Sequence, residues 1–576
     1  MEHEFFLPTA THNLLCMYHP PREKCRGGLL MCSPVFEERK TCQRPMVELA
    51  RELADAGLAV LRFDYAGCGD SDGAFKDHSL DDWEDNIADA GSLLRQLCGQ
   101  PIIGAFGIRS GASFASLAAT RGIIDGPLIL CNPVIKGAKY VREELRKKLM
   151  KEMITFGGSQ SSREVLIKRL EANQTIDFDG YEFTARLYRD IMRLDLPATT
   201  HYEHQNPVLL IAINPNGDYA KDLKTLEDGL SNCGTNVDSV TCRIEPFWNR
   251  IGLVDTAPLR NVVTEWLDRQ LPTASTTPPP SPAQVIGNVA DGTRETPVSF
   301  PAASPAKVRA ILHPPCSPRK PSHAIIFCHG WTGNRLGPHR MFVKAARRLS
   351  RQGALCMRID FTGRGNSDGA TGTGSIQQMI SNTKAAINFI QKKYPDVPLY
   401  LLGICSGGKV AIGAACDEPR IRGLVLWSGE ALGHLRHAAT NRRKTMFALN
   451  EYFKKLKSPQ TWKKIVSGRI NVNGVKKTLT KHETRTAQEA AQEEKILTRF
   501  RFYNGAVLLI YGTHDPDTKM AGTNYQSYLK KNGITHEYHA VENANHSFYS
   551  LETESRVLDL SAKWFAENVP ESNRTD

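Results

Sequence analysis

Residues 57–74, G-L-A-V-L-R-F-D-Y-A-G-C-G-D-S-D-G-A, return as G-A-L-C-M-R-I-D-F-T-G-R-G-N-S-D-G-A at 353–370, 296 positions later. The turns F-G-I-R-S-G-A-S (106–113) and L-G-I-C-S-G-G-K (402–409) share a frame at the same offset. A register that holds without gaps across two separate motifs marks a duplication. Its period is far too long for a solenoid, so it means two homologous domains. A chain of 576 residues also exceeds what one core supports. Between the copies lies P-T-A-S-T-T-P-P-P-S-P-A-Q (272–284), whose Pro, Ser and Thr favour extended, core-free chain. We therefore expect a first domain at 1–270, a linker at 271–300 and a second domain at 301–570.

Each half alternates short apolar runs with amphipathic stretches. In the second half A-I-I-F-C (324–328), A-L-C-M-R-I (354–359), L-Y-L-L-G (399–403), G-L-V-L-W (423–427) and A-V-L-L-I-Y (506–511) read as buried strands. Helical periodicity fills 338–352, 375–394 and 406–416. Strands that are apolar throughout, alternating with helices, predict the α/β class, with a mostly parallel sheet covered on both faces in each half. The stretches 137–200 and 431–500 interrupt the alternation and read as helical caps. The second cap is basic, with R-R-K (442–444), K-K-L-K (454–457) and K-K-T-L-T-K (476–481). It reads as a solvated helix face or as a docking surface for an acidic acyl-carrier protein, coenzyme A or an anionic glycan.

G-x-C-x-G between an apolar strand and a small-residue helix has the form of a nucleophile elbow. The glycines permit a strained turn that presents the central side chain at a helix N-terminus, where a thiolate is stabilised. A lone cysteine in a glycine turn is ordinarily a small buried hydrophobe. Here Asp515 follows the strand V-L-L-I-Y-G and His546 sits in E-N-A-N-H-S-F before the last helix. Nucleophile, acid, then histidine is a catalytic chain order. We assign Cys405 as nucleophile, His546 as base and Asp515 as its orienting acid, with Asp517 as competitor for the last role. The backbone N–H groups of Trp331, in C-H-G-W-T-G-N, and of Ser406 are assigned to the oxyanion hole. The Ser406 hydroxyl, His514, His536 and His539 are read as local or packing groups.

The first half lacks these groups. Arg109 occupies the nucleophile position, and a guanidinium is no nucleophile. Asn216 aligns with Asp515, Ser33 replaces His329, and R-I-E-P-F-W-N (243–249) has no histidine. Ser110 has no base to activate it. Arg109 reads either as a structural ion pair, with Glu245 the expected partner, or as an anion-binding group reusing the elbow.

The chain resembles two tandem α/β-hydrolase domains of the serine-aminopeptidase-like branch, and more narrowly the paired hydrolases associated with exosortase A gene clusters. The second half is similar to the hydrolase 1 type through its Cys-centred elbow, D-E-P-R-I-R-G-L-V-L-W (417–427) and S-P-Q-T-W-K-K-I-V-S-G-R (458–469). The first is similar to the hydrolase 2 type through P-V-F-E-E-R-K (34–40), Y-A-G-C-G-D-S-D-G (65–73), G-I-R-S-G-A (107–112) and E-P-F-W (245–248). Dienelactone hydrolases and polyhydroxyalkanoate synthases share only G-x-C-x-G-G. The resemblance implies ester or thioester chemistry in an exopolysaccharide or lipid-linked context. The fusion of two normally separate proteins departs from the pattern.

Two functions stand at this point. One is an acyl hydrolase or acyltransferase working through a thioester on Cys405, its substrate an acyl ester or thioester carried on coenzyme A or a carrier protein. The other is a scaffold of two retired hydrolase domains. No cofactor and no metal are expected, because the 14 cysteines show no metal-ligand spacing. Net charge is +12, but it is dispersed and lacks an aromatic-interleaved platform, which argues against nucleic acid. No apolar run reaches membrane-span length, and the N-terminus lacks the order of a secretory signal, so a cytoplasmic location is expected. The oligomeric state is left open.

Overall fold

The computed structural model describes residues 2–570 apart from 157, 159–160, 200–201, 203–205, 250–251, 253, 272–279, 288–294, 303–305, 317–319, 373, 437–485 and 516–517. The basic segments of the second cap, the 458–469 motif and Asp517 lie outside the described residues.

Among the described residues, ten strands belong to the first half: β1 (His3–Pro8), β2 (Asn13–His19), β3 (Gly27–Cys32), β4 (Leu58–Phe63), β5 (Ile103–Ile108), β6 (Leu128–Cys131), β7 (Ile176–Phe178), β8 (Tyr181–Phe183), β9 (Val208–Ile213) and β10 (Val237–Cys242). Eight follow in the second: β11 (Thr296–Pro301), β12 (Lys307–His313), β13 (His323–Cys328), β14 (Ala354–Asp360), β15 (Leu399–Ile404), β16 (Ile421–Trp427), β17 (Ala506–Gly512) and β18 (His536–Val541). The sheets run β1-β2-β4-β3-β5-β6-β9-β10 and β11-β12-β14-β13-β15-β16-β17-β18. In each, the second strand (β2 or β12) pairs antiparallel with both its neighbours and the remaining pairs are parallel. The same order twice is the duplication made visible, and both halves have the mostly parallel α/β sheet expected from the sequence.

The central strands are buried over their full length, as Leu399–Ile404 and Val208–Ile213 show. This is the apolar run that two covered faces require. Two boundary expectations shift. Strand β11 starts at Thr296, inside the expected linker, because it pairs antiparallel with β12 and opens the second sheet. A short helix, Pro282–Gly287, also falls there. The first cap consists of helices Gly137–Phe156, Arg163–Glu171 and Ala185–Arg193 with the β7–β8 hairpin. Of the second cap, the described part is chiefly helix Ala487–Phe500.

The duplicated glycine turns are where the halves meet. Arg340 donates to the carbonyls of Gly67, Gly69, Ser71 and Gly73, the middle two at 2.8 Å. Arg44, 296 positions earlier, donates to those of Gly365, Ser367 and Gly369. Arg347 reaches the carbonyls of Asp70 and Ser71, and Arg51 those of Asn366 and Ser367. All but the Gly67 contact recur with the roles of the halves exchanged, which is the isologous pattern of a twofold interface, here within one chain. At its centre Asp70 bonds Arg335 at 2.9 Å and Arg358 at 2.6 Å. The counterpart of Asp70, Asn366, takes Gln43 and Arg62. These turns require glycine: a Cβ on Gly69 or Gly365 would lie 2.0–2.1 Å from the Asp64 or Asp360 carboxylate, at positive φ.

Candidate active site

Strand β15 runs into helix Ser406–Asp417 through Cys405, whose backbone sits at φ 58°, ψ −128°. Cβ atoms on either flanking glycine would strike backbone. Gly403 would meet the Gly407 carbonyl oxygen at 2.4 Å, and Gly407 the Cys328 carbonyl oxygen at 2.1 Å. The turn therefore keeps glycines on both sides of a strained residue, the local geometry an elbow needs. Cys405 is partly exposed, whereas most of the other cysteines are buried.

His546 Nδ1 lies 2.8 Å from Asp515 Oδ2, and Cys405 is close enough to the ring to influence its titration. Burial pulls the imidazole down, but Asp515 and Cys405 outweigh it and hold its pKa well above the usual histidine value. Burial pushes the Asp515 carboxyl up, and His546 together with the Thr518 hydroxyl and amide bring it below the usual carboxylate range. The three side chains assigned from sequence are thus brought together, across strands β15 and β17 and the 542–550 loop.

Three groups were missed by the sequence reading: Glu430, Lys409 and Glu493. The Cys405 thiol donates to Glu430 Oε1 at 3.2 Å. Glu430 in turn pairs with Lys409 at 2.7 Å, and Lys409 with Glu493 at 3.2 Å. Burial raises the Glu430 carboxyl, but the Lys409 ammonium more than offsets it and the carboxylate stays ionised. The Cys405 sulfur therefore lies between an imidazole and a carboxylate. S-G-E following strand β16 is the only trace of this in the sequence, and the first half has Ser113 and Val134 at the corresponding positions.

The Trp331 N–H points back at the elbow, where it donates to Ser406 Oγ at 2.7 Å. The first half repeats this contact: the Val35 N–H donates to Ser110 Oγ at 3.1 Å. Gly330 allows the close approach, since its Cβ would lie 3.1 Å from Cys405 Cβ. His329 braces the same loop. Its Nδ1–H donates to the Gly330 carbonyl at 2.7 Å and its Nε2 accepts from the Phe361 N–H at 3.2 Å. Burial pushes its pKa down to about 3, so the ring is neutral as this pairing requires. Arg364, from the duplicated turn, donates to the Trp331 carbonyl at 2.7 Å and lies over its ring at 5.0 Å.

The other histidines sit apart. His536 and His539 lie on strand β18, bonded to the Ile534 carbonyl and to Glu537, and His514 packs edge-on against Phe156 at 5.1 Å.

In the first half Arg109 adopts the same strained elbow at φ 55°, ψ −127°. Its partner is Glu38, at 3.2 Å, and not Glu245. Glu245 is exposed, whereas Glu38 is buried beside the elbow at the start of helix Phe36–Asp55. The Trp248 ring covers the guanidinium at 5.0 Å. Ser110 Oγ is occupied by Val35, and Asn216 is exposed.

A cavity of about 1450 Å³ opens over Cys405 and His546, and both halves line it: Glu37, Lys40 and Trp248 from the first, Trp331, Lys409 and Glu493 from the second. No cluster of His, Cys, Asp or Glu among the described residues could hold a metal ion. No described helix is long and apolar enough to cross a membrane.

Residues 319–554 match the family model Serine aminopeptidase, S33. Monoglyceride lipase of Rattus norvegicus is 32% identical over 130 residues, 22% of this chain and 42% of that protein, and that of Mus musculus aligns to the same extent. The chain thus spans less than half the length of these relatives. Among solved structures, dienelactone hydrolase from Anabaena variabilis is similar at 16% identity and TM-score 0.32, covering 48% of this chain and 98% of that one. The Pyrococcus furiosus esterase Pf2001 is similar at 17% and 0.35, covering 48% and 91%.

Proposed function

We propose that the second half is an acyl hydrolase or acyltransferase that works through a thioester on Cys405, and that the first half is a pseudo-enzyme. The observation that carries this is the Cys405–His546–Asp515 arrangement at the floor of the interdomain cavity. The Cys405 thiol gives its proton to His546 as its sulfur attacks the carbonyl of an ester or thioester. A C–S bond forms and the carbonyl pair moves onto oxygen, facing the N–H groups of Ser406 and Trp331, the latter turning from Ser406 Oγ to the oxyanion. Collapse expels the alkoxide or thiolate, which takes its proton from His546. A water or an acceptor nucleophile then gives a proton to His546 and attacks the thioester, releasing an acid or an acyl-acceptor conjugate and the Cys405 sulfur.

The esterase and lipase names of the relatives favour an ester substrate. The exosortase-associated resemblance favours an acceptor of lipid-linked or exopolysaccharide type, with a coenzyme A or carrier-protein donor. Intact mass after incubation with p-nitrophenyl acetate tests the reading. An acyl adduct that disappears in Cys405→Ala is expected. Absence of adduct and turnover over short and medium acyl chains would leave the scaffold reading in its place.

A further inference from the structure

We infer that the first half positions the catalytic histidine: Glu37, aimed by the Arg109–Glu38 ion pair at the retired elbow, holds the loop that carries His546. This inference rests on the role proposed for His546 and gives the degenerate half a task.

The 542–550 loop is anchored on one side by its own half. The Asn543 N–H bonds Thr513 Oγ1 at 3.1 Å, and the Ala544 carbonyl accepts from the His514 N–H at 2.9 Å. Beyond His546 the anchors lead to the first half. His339 Nε2 donates to the Ser547 carbonyl at 3.0 Å, and the His339 N–H donates to Glu37 Oε1 at 2.7 Å. Tyr549 Oη donates to Glu37 Oε2 at 3.4 Å. The Leu551 N–H donates to Asp177 Oδ2, on strand β7, at 2.8 Å. One carboxylate therefore ties both Ser547, through His339, and Tyr549. Tyr181 and Lys40 take its remaining acceptor positions.

His339 sits at φ 35° and its neighbour Arg340 at φ 61°. Such backbone persists only where its surroundings over-determine it, and the Glu37 bond to the His339 N–H is one of those constraints.

Glu37 is aimed by its neighbour. Consecutive helix residues point about 100° apart. Glu38 turns inward onto Arg109, so Glu37 faces the other half. The equivalent segment of the second half, G-W-T-G-N (330–334), stays against the elbow and supplies an N–H there. In the first half P-V-F-E-E (34–38) supplies the same N–H, from Val35, and then enters helix Phe36–Asp55 at once. Adjacent residues of one helix thus reach Arg109 at the elbow and His339 in the other half.

The test is Glu37→Gln, with Asp177→Asn and Arg109→Met as independent lesions on the same path. Three quantities are read: the pH profile of iodoacetamide alkylation at the Cys405 peptide, kcat and KM with p-nitrophenyl acetate, and hydrogen exchange over 544–551. Misplacement of a catalytic group by about 1 Å costs up to a hundredfold in rate. We expect Glu37→Gln to lower kcat at least about tenfold with KM within about twofold, to displace the alkylation profile, and to speed exchange in 544–551 but not in strands β13 to β17. Glu37→Asp should recover part of each effect. A wild-type alkylation profile together with unchanged exchange over 544–551 in Glu37→Gln and Asp177→Asn overturns the inference, whatever happens to the thermal midpoint. If the wild type forms no acyl adduct, the proposed reaction fails, and loop exchange still decides the positioning role because it does not depend on turnover.

Discussion

Arg340→Ala isolates the contact that joins the halves. The side chain is buried, 6% exposed, and its guanidinium donates to four turn carbonyls. Burial, with Arg347 nearby, brings its pKa down to about 10, so it remains charged. Truncation strips donors from the Gly69 and Ser71 carbonyls, both bonded at 2.8 Å. Each buried acceptor left unpaired costs about 1–3 kcal/mol. About 2 kcal/mol of side-chain entropy is recovered in return, which leaves a net loss of about 2 kcal/mol for the two acceptors. Urea unfolding followed by tryptophan fluorescence measures it. The expected result is a lower midpoint and a transition that broadens or splits, because the halves no longer unfold as one unit. Arg44→Ala should cost the same within about 1 kcal/mol, since its bond to Ser367 repeats the 2.8 Å bond of Arg340 to Ser71. Arg340→Lys should not restore stability, because one ammonium cannot span a fork of carbonyls. A loss below about 1 kcal/mol for Arg340→Ala, or a several-fold disparity with Arg44→Ala, would refute the reciprocal clamp.

Two further outcomes follow from charges at the site. Glu430→Gln removes a negative charge 3.2 Å from Cys405 Sγ; a neighbouring anion disfavours thiolate, so alkylation of Cys405 at pH 7 should rise several-fold, and a fall would contradict the geometry. Glu37 gives a pH signature. Burial raises its carboxyl, but Lys40 and His339 win and bring it down to about 2 from 4.5. A depressed carboxyl stabilises above its unfolded value and loses that contribution as pH falls through the folded one, so wild type should exceed Glu37→Gln by about 2–3 kcal/mol at neutral pH and converge with it between pH 4.5 and 2. Parallel acid-unfolding curves for the two proteins would show that the carboxylate contributes nothing.

Legibility in the sequence tracks how local each signal is. The Cys405 elbow could be read because its glycines are required by backbone contacts within a few residues and across to strand β13. Asp515 and His546 could be read from chain order after recognisable strands. Glu430 could not, because a carboxylate reaching back to the elbow from beyond strand β16 has no fixed spacing pattern. The expected Arg109–Glu245 pair was wrong for the same reason: several acids lie within reach of a guanidinium in sequence terms, and packing of helix Phe36–Asp55 against the elbow selects Glu38. Strand β11 was hidden in the expected linker because T-P-V-S-F-P is proline-rich; it serves as an edge strand, where a missing N–H is tolerated.

Sequence alone determined the duplication, the two parallel sheets and the residues of the elbow, since these follow from hydrophobic period and from backbone geometry that only glycine permits. The repeated turn Y-A-G-C-G-D-S-D-G looked like a mark of common origin. Only the tertiary structure showed that each copy receives an arginine from the other half, and that the cavity over Cys405 has walls from both. The physical reason is that a turn carbonyl carries no sequence label. Which donor reaches it depends on how two folded surfaces meet, and that is settled by the shape of both halves at once.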